Sequence, residues 1–143
     1  MDAIPASIHC ASVLCAAPAD RALALLADGL ELGRWALGCW QTRDAGDGVV
    51  QGHSLFDGAE GFVRPVLDAA RGRVTYHVGG APDALTPRIH ATVEATSLPG
   101  AATPGCRISL HAARTPDMDD ARWLRLVRCH EVEVLLIQSL LAR

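Results

Sequence analysis

From Cys39 to Arg114 the chain is a succession of short apolar runs divided by turn chemistry. Cys39–Asp44 and Val49–Phe56 flank Ala-Gly-Asp-Gly, a strong hairpin signal. Phe62–Leu67 follows an Asp-Gly-Ala-Glu-Gly turn, and Val74–Val78 follows Arg-Gly-Arg. A loop with Gly79, Gly80, Pro82 and Pro87 leads into Arg88–Ser97, and Cys106–Arg114 is the last run. Strands in unbroken succession joined by tight turns imply an antiparallel sheet. Pro65 falls inside one of them, which marks an edge or a bulge, because proline cannot donate to the ladder.

The flanks complete the plan. Ser7–Ala16 alternates as a strand whose two faces are both apolar or small, the pattern of a strand covered on two sides. Pro18 opens a helix with Asp20 in its first turn, Ala22–Ala27 continue it, and Gly29 is expected to close it in the left-handed conformation. Glu31–Leu37 forms a second short helix. Thr115-Pro116-Asp117 supplies the cap and first turn of a helix that runs almost to Arg143. The class is α+β: one strand, two short helices, six strands and one long helix to cover the sheet.

At 143 residues the chain fits one domain, and neither repeats nor a composition break divide it. A net charge of −3, a pI near 6 and the lack of any basic run argue against a nucleic-acid partner and against anionic membrane surfaces. No apolar run reaches the roughly 18 residues of a membrane span. The stretch Cys10–Ala19 superficially resembles a secretory signal, but Asp2, Pro5 and His9 precede it and the first positive charge is Arg21, the wrong order for one. The cysteines number five, an odd count with no C-x-x-C pair, which points to reduced thiols in a cytoplasmic protein.

On a wheel of about 100° per residue, Trp123, Val127, Val134, Ile137 and Leu141 occupy one narrow arc of the last helix, with Leu126 and Leu140 on one shoulder. Arg122, Arg125, Arg128 and Ser139 lie outside it. His130 falls inside the apolar arc. An imidazole there is either a neutral, hydrogen-bonded core group or a cavity group that orients a ligand or moves a proton. Glu131 and Glu133 flank the arc on opposite sides; each is either a member of a polar network or, the commoner case, a solvated surface carboxylate.

This element order resembles the helix-grip superfamily of START-like, polyketide-cyclase-like and birch-pollen-allergen-like proteins, often called SRPBCC. Ala17-Pro18-Ala19-Asp20-Arg21-Ala22-Leu23-Ala24-Leu25-Leu26-Ala27-Asp28 is similar to the family's strand-to-helix entry. Leu32-Gly33-Arg34-Trp35 is similar to its second helix, and Arg122-Trp123 with His130-Glu131 to the terminal helix of bacterial members. The resemblance implies a curved seven-stranded antiparallel sheet wrapped around the long helix, with a ligand cavity between them. It also implies that Trp35 and Trp40 lie near the cavity mouth; plain core packing is the alternative for both. The family includes hydrolases, cyclases, lipid carriers and co-chaperone domains, so it implies a cavity and not a chemistry.

Three readings follow. The first is a binder of a small hydrophobic molecule, with Trp123, Val127, His130 and Val134 lining the cavity. The second is a cofactor-independent cyclase, dehydratase or hydrolase with His130 as acid–base, aided by Tyr76, His53 or Asp57. His53, Asp57, Glu60 and Arg64 cluster around one hairpin, either as an ordinary solvated turn or as a His53–Asp57 pair with Arg64 nearby that polarises a carbonyl or holds a carboxylate. The third is an interaction module with a filled core, for which Leu135-Leu136-Ile137 and Leu140-Leu141 suggest a homodimer contact. His90, His111 and Glu94 are of metal-ligand type but lack a metal-site spacing, and no phosphate loop, dinucleotide fingerprint or G-x-S-x-G is present. None of the three readings calls on a cofactor or a metal.

Overall fold

A computed structural model describes residues 7–143; Asp2 and Pro5, used above against a signal segment, lie outside them. The elements are β1 (Ile8–Cys15), α1 (Ala19–Ala27), α2 (Gly29–Leu32), β2 (Trp40–Gly46), β3 (Val49–His53), β4 (Glu60–Asp68), β5 (Arg73–Gly79), β6 (Thr86–Thr96), β7 (Gly105–Ala113) and α3 (Asp120–Leu141), with one 3-10 turn at Ala69–Arg71. The seven strands form one antiparallel sheet in the order β1-β7-β6-β5-β4-β3-β2. The last strand thus returns to pair with the first, and all other neighbours are consecutive.

Local chemistry explains most element boundaries. The β2–β3 turn places Asp47 at φ 55° and Gly48 at φ 76°, the two left-handed residues that a twist-compatible two-residue hairpin needs. Pairing of β4 with β3 stops at Val63, so Pro65 lies where that side of β4 is an open edge, as its missing N–H requires. Asp28, and not Gly29, separates the two short helices: its Oδ1 accepts from the N–H groups of Leu30 and Glu31 and so caps α2. The long helix begins later than the proline suggests. Asp119 caps it by accepting from the Arg122 N–H, and Thr115–Asp117 form a turn ahead of it.

Two expectations about packing change. β1 is an edge strand, and its outer residues Ile8 and Leu14 are 77% and 43% exposed; only the face carrying Ala11 and Cys15 is buried. Alternation of small apolar residues does not distinguish one covered face from two. The inner face of the sheet is also not left to one helix: Ala22 and Leu26 of α1 are fully buried in the same core as Val74, Ala91, Ile108 and Leu110.

The inner stripe of α3 packs on β1 and β7 in two places. Trp123 and Val127 join Met118 and Ala112 at one end, while Val134, Ile137 and Leu141 join the main core at the other. On the opposite face Leu135 is 57% exposed and Val132 46%, whereas Leu136 and Leu140 are partly buried against the core.

The joint between α2 and β2 depends on Gly33. A Cβ there would stand 2.2 Å from the backbone nitrogen of Thr42, which cannot move aside without shifting β2. Gly38, a few residues on, has nothing within 4 Å of its would-be Cβ. Gly33→Ala is expected to lower stability by about 1–3 kcal/mol in urea unfolding, the cost typical of overpacking, with Gly38→Ala close to wild type. Equal midpoints for the two variants would refute this account of the joint.

Candidate functional site

The two anchoring points of α3 lie on the part of the helix that faces β1 and β7. On the same wheel, Leu126, Glu133, Arg122 and Cys129 sit about 60–120° to one side of Trp123, and His130 about 20° to that side. That shoulder looks towards β4 and β5, and between them lies a cavity of about 380 Å³. Its walls include Leu32 and Trp35 from the α2 segment, Phe62 and Val63 from β4, Tyr76 from β5 and Leu126 from α3. Ser54, Phe56, Asp57 and Glu60 of the β3–β4 connection, with Arg122 and Arg125, form its rim.

The expected site residues divide accordingly. His130, Tyr76 and Trp35 line the cavity, as do Asp57 and Glu60. Trp123, Val127 and Val134 do not, because they occupy the centre of the helix stripe and are consumed by contacts with the core. Trp40 stands opposite His53 in the β2–β3 ladder and borders a separate shallow depression with Arg34 and Leu140. His53 alternates with Gly52 and falls on the outer side of β3, since Val50 points into the core. Arg64 likewise faces away, its Nε donating to the Asp47 carbonyl in the β2–β3 turn. The His53–Asp57–Arg64 grouping is therefore not assembled in space.

Tyr76 is held tightly. Its hydroxyl donates to the Leu26 carbonyl at 2.7 Å, tying the end of α1 to β5, and its ring meets Trp35 edge-on at 5.8 Å. Burial, followed by the nearby Glu133, pushes its phenol well above the usual range. The ring forms wall; the proton is committed to a backbone carbonyl.

Glu133, for which the sequence favoured a solvated carboxylate over a member of a polar network, is a buried polar group of the cavity. It is 6% exposed, lines the cavity, and its Oε2 accepts from the Leu37 N–H at 2.9 Å. Its Oε1 lies 3.9 Å from Nε2 of His130, which is itself 3% exposed. The signal was available: on the wheel Glu133 falls between Leu126 and Leu140, the shoulder already recognised as apolar. Glu131, two residues earlier, is exposed and pairs with Arg128.

Burial acts on this pair in opposite directions. It pushes the Glu133 carboxyl up to about 7, against the smaller opposing effect of the Leu37 N–H. It pulls the His130 imidazole down to about 4, helped by His9 and His111. At neutral pH His130 is an uncharged imidazole, and the carboxyl beside it holds its proton more tightly than a solvated carboxyl does. The thiols of Cys39 and Cys129, which also line the cavity, are pushed up to about 11 by burial and stay protonated. Among the described residues no three His, Cys, Asp or Glu side chains form a group able to hold a metal ion. His90 and His111 stack face to face at 4.5 Å on the other side of the sheet, with His111 Nε2 2.9 Å from the Thr92 hydroxyl.

Comparison with solved structures decides the fold. A protein called XoxI from Bacillus cereus superposes with a TM-score of 0.67 at 15% identity, covering 96% of each chain. A START superfamily protein from Mycobacterium smegmatis gives 0.64 at 11% identity, covering 94% of this chain and 97% of the other. The ZhuI aromatase/cyclase from Streptomyces sp. R1128 gives 0.60 at 21% identity, over 95% and 93%. The fold is the START-like helix grip. No protein-family model matches the sequence, and no curated protein does. Such distant helix-grip likenesses show architecture; the chemistry has to come from this chain's own residues.

Linkage gives the pair a test. Glu133 binds its proton more tightly folded than unfolded, so its contribution to stability falls as pH rises from about 4.5 to about 7. His130 binds its proton less tightly folded, so its contribution rises from about 4 to about 6.5. The two offset each other in the wild type. His130→Gln should therefore lose stability as pH rises from 4.5 to 7, and Glu133→Gln should gain it from 4 to 6.5, each on the order of 3 kcal/mol. Urea unfolding across this range would show it; parallel profiles for both variants would exclude opposed titrations.

Proposed function

We propose that the protein binds a small, largely apolar molecule in the cavity between α3 and the sheet. The observation that supports this most directly is the cavity itself. A recess of about 380 Å³ whose surface is mostly apolar, with Leu32, Trp35, Phe62, Val63, Tyr76 and Leu126 among its walls and a few polar groups converging in it, has the character of a small-molecule site. The relatives in fold agree in kind, one being named an aromatase/cyclase and another a START superfamily protein. Binding is the work of Trp35, Tyr76, Phe62, Val63 and Leu126, with His130 and Glu133 at the polar floor. The same volume weighs against an interaction module with a filled core. The five free thiols favour a reducing compartment such as the cytoplasm. Among the described residues no helix is long and apolar enough to cross a membrane.

A second reading, a cofactor-independent cyclase, dehydratase or hydrolase, is favoured by one observation: the His130–Glu133 pair. Two groups with pKa values driven apart in a shared cavity are what acid–base chemistry uses. Glu133, with its carboxyl near 7, is the better-matched proton donor and acceptor at neutral pH; His130, at about 4, is a weak base beside it.

Native mass spectrometry of freshly purified protein is expected to show a retained small molecule or, for emptied protein, one-to-one uptake of an apolar fluorescent dye. Leu126 is only partly buried on the cavity wall, so Leu126→Trp should fill the space and reduce dye affinity at least tenfold while the protein stays folded. Unchanged dye binding in that variant, or none in the wild type, would remove the cavity as the site.

A further inference from the structure

This inference rests on the reading of the cavity as a ligand site and specifies its ligand. Glu133 is the only carboxyl buried on α3, and its two oxygens are not equivalent. Oε2 is fixed by the Leu37 N–H; Oε1 has no hydrogen-bond partner among the described residues and faces His130 across 3.9 Å. That separation is too long for a hydrogen bond. With Oε2 fixed, Oε1 is the oxygen that opens onto the cavity, and it is the one placed to carry the carboxyl proton towards an acceptor there.

The surroundings do not offer a cation to hold it ionised. The groups facing Glu133 are His130 and Cys129 from α3, Tyr76 from β5, and Cys39 with the Leu37 N–H from the segment between α2 and β2; His9 of β1 acts on His130 from behind. Tyr76 has committed its proton to Leu26, and both thiols are neutral. The two cavity arginines stand at the rim, Arg122 paired with Asp117 at 3.1 Å and Arg125 lying 4.8 Å over the Phe56 ring. Asp57 and Glu60 line the same rim, so its charges are mixed in sign and select neither an anion nor a cation.

We propose that the cavity selects uncharged apolar molecules bearing a carbonyl oxygen, which Glu133 recognises by donating a hydrogen bond from Oε1. The carbonyl sits at the floor beside His130, and the apolar body fills the space between Leu126 and the Trp35–Tyr76 wall. Ionisation of Glu133 removes the donor and turns the same oxygen into an acceptor, so recognition weakens as pH rises through neutrality. The ligand itself need not titrate.

Three rigid tricyclic probes separate the contributions: fluorene, fluorenone and 9-fluorenol, bound to the full chain and followed by tryptophan quenching at pH 5.5 and 8.5. Fluorene measures the apolar cavity alone. The affinity ratio of fluorenone to fluorene is expected to be roughly three- to tenfold higher at pH 5.5 than at 8.5, the effect of one hydrogen bond. In Glu133→Gln, whose amide keeps a donor at every pH, the ratio should be the same at both. A wild-type ratio flat with pH overturns the proposal, and so does 9-fluorenol gaining on fluorenone at low pH. If fluorene fails to bind at either pH, it is the cavity reading that falls.

Discussion

The seating of α3 on β1 and β7 is the contact on which the rest of the structure depends. Trp123 and Val127 hold one half of the helix, and Val134, Ile137 and Leu141 hold the other, so α3 is fixed in both position and rotation. Because it is fixed over one end of the sheet, its shoulder faces β4 and β5 without touching them closely. The α2 segment closes one side of that gap through Leu32 and Trp35, with Leu26 of α1 packed in the core. What they do not fill is the cavity. A looser helix would let the gap collapse; a helix centred on the sheet would abolish it.

Burial then gives the cavity its chemistry. His130 and Glu133 lie between the two anchoring clusters, where a helix repeat brings i and i+3 to one patch. Desolvation penalises the charge on each, and with no arginine at the floor the cheaper state is a neutral imidazole beside a carboxyl that holds its proton more tightly than a solvated one does. The polar floor is therefore reactive in proton terms without carrying a fixed charge. The rim is different in character: the Arg125–Phe56 stack joins α3 to the β3–β4 connection across the opening, and Leu55 donates its N–H to the Leu37 carbonyl.

Much of this was legible beforehand. Turn chemistry located β2 to β7, alternation located β1, Pro65 marked the open side of β4, and the spacing of Trp123, Val127, Val134, Ile137 and Leu141 gave the inner stripe of α3. The errors share a cause. Thr115 and Gly29 have the chemistry of helix ends, but Asp119 and Asp28 make the capping bonds, because several residues in each segment are able to cap. For Glu133 residue type favoured a solvated carboxylate over a polar network, although its angle placed it between two leucines. Trp123, Val127 and Val134 were read as lining because an inward apolar face and a cavity wall look alike in one dimension. His53 and Arg64 were near each other in sequence, and strand alternation turned both away.

The sequence by itself determined the order of the elements, the antiparallel pairing and the face of α3 that turns inward, since each follows from interactions within a few residues or between adjacent strands. Only the tertiary structure decided which inward residues are packed and which are left facing space. That depends on the distance between α3, the sheet and the α2 segment, which are far apart along the chain, and no local pattern encodes a distance. It also decided the protonation of Glu133 and His130, because a pKa is set by the whole enclosure around a group and not by its neighbours in sequence.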